Sequence, residues 1–267
     1  MNRIKIISNK SEKTRLLKKN LYRLINKYDF IIDNKRPELI IAIGGDGTFL
    51  KSLKETYYNQ NLYYIGINTG TLGFLQDITI NDLEECLRKI KENTYNVEEV
   101  SLIDISIVYG GRKFSYNALN EVVIREHELK VLRTKIFIND VELEDFVGDG
   151  VLISTPIGST AHNLSVGGCI VHPSINVLQM QPLAPFPLLR KQPIFNSGII
   201  ISDKMKISIV PQARCSNKLL FTIDGDLFSF KEPISKIDIK LSKNKVKILR
   251  VSEVDFFARL KSKYSEE

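Results

Sequence analysis

The stretch Leu39-Ile40-Ile41-Ala42-Ile43-Gly44-Gly45-Asp46-Gly47-Thr48 joins a continuous apolar run to a glycine-rich turn. The apolar run predicts a buried strand, and a helix is indicated next by the spacing of Phe49, Leu50, Leu53 and Tyr57. Glycines let backbone N–H groups approach phosphate oxygens, and a helix N-terminus attracts anions. The turn is therefore a candidate phosphate site that contains one carboxylate.

The same turn has a second interpretation, in which Asp46 only caps the following helix. No lysine follows Gly47 directly, so the turn does not match the P-loop pattern. Both interpretations stay open on this stretch alone.

The first hundred residues alternate short apolar runs with helical periodicity, which is typical of parallel strands joined by crossover helices. Strands are predicted at 4–7, 39–43 and 63–67. Glycine-bearing turns follow two of them, at 44–48 and 68–74, where open α/β sheets bind their ligands. The predicted helical faces carry Leu17, Leu21, Leu24 and Ile25, and then Leu83, Cys86, Leu87 and Ile90.

After about residue 100 the pattern changes to alternation, as in residues 102–107 and 134–138. Turn pairs at 110–111, 139–140 and 224–225 separate candidate strands, and 242–244 is predicted to divide two more. The fold class is therefore α/β plus all-β. The predicted domains are residues 1–100 (α/β), residues 101–252 (a β-sandwich), and residues 253–267 (a helix that returns to the first domain).

The composition favours a soluble cytoplasmic protein. The 267 residues contain three cysteines, which is an odd count that a secreted disulfide framework would not normally show. No run of eighteen apolar residues indicates a membrane span, and the three histidines lack metal-ligand spacing.

The net charge of +7 permits an anionic partner. Scattered lysines without an RNA-binding aromatic motif do not favour nucleic acid, and phosphorylated small molecules explain the charge equally well.

A second polar cluster follows Gly148-Asp149-Gly150 and runs from Thr155 to Gly168. Its many Gly, Ser and Thr residues offer backbone donors and hydroxyls to a polar ligand. Taken alone, the cluster is better interpreted as an ordinary surface loop.

Five motifs occur in one order over nearly the whole chain: G-G-D-G-T-F-L at 44–50, N-T-G-T-L-G-F-L at 68–75, N-E at 120–121, G-D-G at 148–150 and G-S-T-A-H-N-L-S-V-G-G at 158–168. This ordered set resembles the bacterial NAD kinase family. The resemblance implies a Rossmann-like first domain, a β-sandwich with a closing helix, and a homo-oligomer, either dimer or tetramer. It also implies transfer of the γ-phosphoryl of ATP to the adenosine 2′-hydroxyl of NAD, which gives NADP. Mg²⁺ or another divalent cation would arrive with ATP, without dedicated protein ligands.

The resemblance assigns roles to residues of this chain. Asp46 would be the general base. Phosphate would be bound by Gly44, Gly45, Gly47 and Thr48. NAD would be bound by Asp46, Gly47, Lys51, Asn120, Glu121, Asp149, Thr160, Ala161, His162, Asn163, Ser165 and Ala184.

Three positions depart from the family pattern. His162 stands where a tyrosine is usual, and Leu164 and Val147 stand where a basic side chain is frequent. Because stacking contributes only about 0.5–1.5 kcal/mol beyond burial, His162 is expected to weaken NAD binding without abolishing it. The change His162→Tyr is accordingly expected to lower the KM for NAD.

Three alternatives remain at this point. A G-G-D-G-T kinase of a lipid or sugar would not account for residues 158–168. A non-catalytic dinucleotide sensor would keep the pocket and lose turnover. A nucleic-acid-binding module rests on the basic pI alone.

Overall fold

The computed structural model describes residues 1–70, 73–76, 78–127, 130–186, 194–216, 219–252 and 255–265, with only the backbone at 264 and 265. In chain order its elements are β1 (Arg3–Ser8), α1 (Glu12–Lys27), β2 (Ile31–Ile32), β3 (Leu39–Gly44), α2 (Asp46–Glu55), β4 (Tyr63–Asn68), α3 (Leu83–Glu92), β5 (Asn96–Tyr109), β6 (Arg112–Ala118), β7 (Glu121–Glu126), β8 (Leu132–Ile138), β9 (Val141–Gly148), β10 (Gly150–Ser154), a 3-10 turn (Ile157–Thr160), α4 (His162–Ser165), β11 (Val177–Leu183), β12 (Ile199–Ser202), β13 (Lys206–Pro211), β14 (Leu219–Ile223), β15 (Asp226–Ser229), β16 (Ile234–Arg250) and α5 (Phe256–Ser265).

The chain forms two compact units, residues 1–100 with 245–267, and residues 101–244. The first is called the α/β unit here and the second the β unit. Residues 71–72, 77 and 253–254 lie outside the described residues, and they include part of the 68–75 motif and the start of the predicted C-terminal segment. The three predicted domain ranges stay predictions.

The α/β unit contains a parallel sheet in the order β2-β1-β3-β4, with residues 247–248 of β16 paired beside β4. Every residue of β3 is buried, as expected for a central strand covered on both faces. Helix α1 starts at the Ser11 cap, whose hydroxyl accepts the N–H of Thr14. The predicted apolar stripes of α1 and α3 are their buried faces. The α/β prediction is therefore confirmed, and the 44–48 turn lies at the carboxyl end of β3.

The β unit contains two antiparallel layers. One has the order β12-β11-β10-β7-β14-β15, and the other pairs β9, β8, β13 and β16. Alternate residues of both layers enter one apolar core, among them Val122, Ile124, Val151, Ile136 and Ile239. The β-sandwich prediction is confirmed.

The turn predictions had mixed outcomes. Positive φ angles occur at both residues of the pairs 110–111, 139–140 and 224–225, as two-residue hairpin turns require. The predicted break at 242–244 is wrong, because β16 runs unbroken from Ile234 to Arg250. Its first part pairs with β13 and its last part with β4, so the strand serves both units and needs its full length.

In the part of the chain that the structure describes, no helix has the length and apolar character needed to cross a bilayer.

Candidate functional site

The turn after β3 presents Asp46 as the first residue of α2. Gly45 is the N-cap residue, and its carbonyl accepts the N–H groups of Thr48 and Phe49 at 2.8 and 3.3 Å. Gly45 has no side chain with which to cap the helix, and Asp46 is one residue past the cap position. The interpretation in which Asp46 only caps the helix is wrong, because its carboxylate has a partner in another backbone segment.

That partner is the backbone of the 73–75 loop. The N–H of Phe74 donates to Asp46 Oδ2 at 3.2 Å, and the N–H of Leu75 donates to Oδ1 at 3.1 Å. A Cβ atom at Gly73 would lie 2.1 Å from Asp46 Oδ1 and 2.6 Å from its Cγ. Because Gly73 has no side chain, the Asp46 carboxylate can lie against its Cα. The half-buried Asp46 is therefore held at a fixed place.

The glycines of the first motif have different surroundings. Gly44 has φ +152°, and a Cβ there would lie 2.2 Å from the hydroxyl oxygen of the buried Thr48. Gly45 and Gly47 are exposed, and a Cβ at either would meet nothing within 4 Å. Gly44 therefore allows Thr48 to pack against the strand end, whereas Gly45 and Gly47 leave the helix N-terminus open to a ligand.

Lys51 lies on the exposed side of α2. Its ammonium is 3.6 Å from Glu55 Oε1, one helical turn further on. An exposed pair of this kind contributes little to stability and leaves the lysine able to turn toward an anion.

Asp224 organises the Asn120-Glu121 pair in the β unit. Its buried carboxylate accepts the N–H groups of Leu119 at 2.7 Å, Asn120 at 2.7 Å and Glu121 at 3.2 Å. Asp224 has φ +46°, at the first position of its hairpin turn. Bonds from three successive N–H groups to one carboxylate fix the backbone that presents Asn120.

Thr155 connects this segment to the second polar cluster. Its hydroxyl donates to the carbonyl of Leu119 at 2.6 Å and accepts the N–H of Gly158 at 3.1 Å. A Cβ at Gly158 would lie 2.1 Å from the carbonyl oxygen of Asn120. The 157–160 turn therefore packs directly against Asn120, and two of the predicted motifs form one cluster.

Asn163 ties the end of that cluster together. Its amide nitrogen is 3.4 Å from the carbonyls of Ser159 and Cys169, and a Cβ at Gly168 would lie 2.2 Å from it. Asn163 is fully buried, and no described donor reaches its Oδ1. Its position in this structure is thus that of an internal support.

The remaining predicted residues of the cluster are more accessible. Thr160 is buried and its hydroxyl donates to the carbonyl of Ile157, whereas Ala161 and His162 are half-buried and Ser165 is exposed. Burial, and next the positive charge of Arg125, lower the pKa of His162 below its ordinary 6.5. Both effects favour the neutral form of the imidazole.

Asp149 and Ala184 lie together at the end of two paired strands. The N–H of Asp149 donates to the carbonyl of Leu183 at 2.8 Å, and Ala184 has φ +41°. Both residues are exposed. Arg125 is the β7 partner of Gly150, so one cation neighbours both this corner and His162.

The structure thus forms two clusters from the predicted residues. One, in the α/β unit, contains the 44–48 turn and the 73–75 loop; the other, in the β unit, contains Asn120, the 155–168 segment and the Asp149 corner. Sequence reasoning missed the roles of three residues. Gly73 leaves room for the Asp46 carboxylate, Asp224 holds the backbone of Asn120, and Arg125 places a positive charge near His162. The Asp224-Gly225 dipeptide signals a turn, and nothing in its sequence signals which backbone its carboxylate meets.

Comparison with known proteins matches both parts of the chain to one family. Residues 5–95 match the profile of the ATP-NAD kinase N-terminal domain, and residues 119–251 match that of the ATP-NAD kinase C-terminal domain. The NAD kinase of Pediococcus pentosaceus is 31% identical over 98% of this chain and 97% of its own length. The NAD kinase of Bacteroides fragilis is 34% identical over 93% of this chain and 83% of its own length.

Two solved structures share the fold. The yeast NADH kinase complexed with NADH has a TM-score of 0.85 at 18% identity, covering 98% of this chain and 86% of that one. The Archaeoglobus fulgidus NAD kinase in complex with ATP has a TM-score of 0.73 at 24% identity, covering 97% and 99%. Fold and sequence together define a two-domain kinase of nucleotides. The chain belongs to the ATP-NAD kinase family.

Proposed function

We propose that this protein phosphorylates NAD to NADP with ATP as donor, and that Asp46 is the general base. NAD phosphorylation is the activity of the family to which the chain belongs. The observation that supports the role of Asp46 is its half-buried carboxylate, which two backbone N–H groups hold beside an open helix N-terminus.

The reaction is a balanced phosphoryl transfer. The adenosine 2′-oxygen forms a bond to the γ-phosphorus, the bond from that phosphorus to the β,γ-bridging oxygen breaks, and ADP leaves. The proton of the 2′-hydroxyl passes to the Asp46 carboxylate. Each carboxylate oxygen has lone pairs beyond the one that its backbone N–H uses, so Asp46 can accept a third hydrogen bond from the sugar.

The open glycines support a triphosphate site at the start of α2. Backbone N–H groups at the start of α2 point away from the helix, and Gly45 and Gly47 place no side chain in front of them. The described residues contain no group of three His, Cys, Asp or Glu side chains that could form a metal site. The family resemblance implies a divalent cation such as Mg²⁺ that arrives with the triphosphate, and bound there it would neutralise phosphate charge.

The residues proposed for NAD are Asp46, Gly47, Lys51, Asn120, Glu121, Asp149, Thr160, Ala161, His162, Asn163, Ser165 and Ala184. Their support is unequal. Asn120 lies on a segment that Asp224 and Thr155 hold rigidly, which suits a residue that must orient a substrate. Asn163, being fully buried, would act by shaping the pocket wall.

The decisive experiment compares the wild-type protein with Asp46→Asn in an assay of NADP formation. General-base assistance contributes roughly 10²–10⁴-fold, so kcat should fall by that factor, or about 3–5 kcal/mol of barrier. NAD binding measured by calorimetry should change only a few-fold. Asp33→Asn is a matched control, since that carboxylate also accepts two backbone N–H groups in the same unit. Wild-type turnover by Asp46→Asn would refute the assignment.

The same assay separates the alternative functions. A non-catalytic sensor would bind NAD and form no NADP. A kinase of a lipid or sugar would phosphorylate diacylglycerol or fructose 6-phosphate in preference to NAD, which the match of residues 119–251 does not favour.

A cytoplasmic location and assembly into a homodimer or homotetramer are further proposals, supported by the family resemblance. Light scattering of the purified protein would measure the number of chains.

A further inference from the structure

Phe74 is the residue through which the C-terminal segment reaches Asp46. Its N–H donates to Asp46 Oδ2 at 3.2 Å, while its own carbonyl accepts Arg250 Nη2 at 3.4 Å. One amino acid thus joins the carboxylate on one side to a guanidinium on the other. All three residues belong to the α/β unit.

Arg250 is itself fixed in place. Its Nε donates to Glu98 Oε2 at 2.6 Å, and the arginine side chain is only 6% exposed. The guanidinium is planar, so a bond from Nε to Glu98 sets the direction of the Nη2 bond to Phe74. Arg259 of α5, 7% exposed, lies 3.9 Å from the same Glu98 oxygen and adds a second positive charge to the group.

The Phe74 side chain is held by α5 as well. Its buried ring lies 6.3 Å from the ring of Phe256, and the Lys263 ammonium is 4.4 Å from its centroid. Such ring–ring and cation–ring contacts favour one placement of the Phe74 ring. The backbone and the ring of Phe74 are therefore both anchored to residues that follow position 245.

We infer that Arg250, oriented by Glu98, is a positioning residue for phosphoryl transfer, because it fixes the peptide of Phe74 that holds the Asp46 carboxylate. This inference rests on the proposed role of Asp46 as general base. A general base must lie within hydrogen-bond reach of the hydroxyl proton, and a displacement of 1 Å costs on the order of 10²-fold in rate. Loosening the Phe74 peptide moves the base without touching either substrate.

The test uses Arg250→Lys in the full-length protein. Lysine keeps the positive charge beside Glu98, but its single ammonium has no planar fork with which to bind Glu98 and the Phe74 carbonyl together. We expect kcat to fall roughly tenfold while the KM values for NAD and ATP stay within about twofold. Arg88→Lys, at a partly exposed arginine of α3 that pairs with Glu85 and Glu92, is the matched control and should keep wild-type kinetics.

A double-mutant cycle separates positioning from a general effect on the fold. If Arg250 acts through Asp46, Arg250→Lys should leave the residual rate of Asp46→Asn unchanged within about twofold, because there is no base left to misplace. An equal fractional loss of rate in both backgrounds, or an unchanged kcat in Arg250→Lys alone, would overturn the inference. If Arg250→Lys does not fold, Glu98→Gln is tested in the same double-mutant cycle. Glutamine has nearly the size of glutamate but no charge to hold the Arg250 guanidinium, and the same two outcomes would overturn the inference.

The two proposals fail in different ways. Full activity of Asp46→Asn would refute the proposed base. A slow Asp46→Asn combined with normal turnover of the Arg250 variant would refute the positioning role alone.

Discussion

Replacing Gly73 with alanine should displace the Asp46 carboxylate directly. The new Cβ would lie 2.1 Å from Oδ1, 2.6 Å from Cγ and 2.8 Å from Oδ2, and all three belong to one side chain. An ordinary contact begins at 3.4 Å, so the carboxylate or the loop must move by about 1 Å or more. Gly73 does not have a positive φ, so the added methyl group acts through this collision and not through backbone strain.

The expected cost follows from that displacement. A shift of 1 Å in a catalytic group costs about 10²-fold, or roughly 2.7 kcal/mol of barrier, and we expect kcat for NADP formation to fall by this factor. The free energy of unfolding should fall less, because the change mainly weakens two hydrogen bonds to a half-buried carboxylate.

Gly70→Ala is the matched control for this change. Gly70 precedes Gly73 by three residues, and a Cβ there would meet nothing within 4 Å. The assay couples NADP formation to an NADP-specific dehydrogenase, and urea unfolding of each variant is measured alongside. If Gly73→Ala kept kcat within twofold of Gly70→Ala, the close fit of Asp46 against Gly73 would not matter for turnover, and the reasoning would be refuted.

Two further predictions concern the β unit. Asp224→Asn should lower the free energy of unfolding by about 1.5–3 kcal/mol in urea, since three backbone N–H groups lose a charged acceptor while asparagine tolerates the positive φ. Asp140→Asn, at an exposed turn position with φ +67°, should change the free energy of unfolding little. Equal losses in Asp224→Asn and Asp140→Asn would show that the three bonds to Asp224 do not stabilise the fold. Because the pKa of His162 is lowered, its NMR titration midpoint should lie below 6.5, and this midpoint should rise in Arg125→Gln. A midpoint of 6.5 in both the wild-type protein and Arg125→Gln would contradict the lowered pKa. The unfolded chain then takes up this proton first, so stability should fall as the pH drops from about 6.5 through the folded-state pKa of His162.

Much of the α/β unit could be predicted because its sequence signals are local. The run 39–43 is apolar at every position, and the stripes of α1 and α3 repeat at helical spacing, so each element is specified by neighbours in the sequence. The hairpin turns at 110–111 and 139–140 were predictable for the same reason, since particular residue types favour positive φ. The break predicted at 242–244 failed because β16 pairs with different partners along its length, which no local pattern reveals.

The site could be predicted as a set of motifs but not as a set of contacts. Asp46 and Gly73 are 27 positions apart, and Asp224 meets residues more than a hundred positions away. A motif tells which residue types are present, whereas the partner of a carboxylate depends on how distant loops fold together. For this reason the sequence does not decide whether Asp46 only caps the helix. The N–H donors of Phe74 and Leu75 decide it, because they show where the carboxylate bonds.

The glycines of the candidate site perform two physically different tasks. At Gly44, Gly73, Gly158 and Gly168 the space of a missing side chain is filled by another atom of the protein, between 2.1 and 2.2 Å from where a Cβ would lie. At Gly45 and Gly47 the space is empty and exposed. The first group holds the carboxylate, the hydroxyl and the amides in place, and the second leaves room for a ligand that the chain must bind. A glycine-rich motif therefore conveys both rigidity and access, and the two can be told apart only by what occupies the volume beside each glycine.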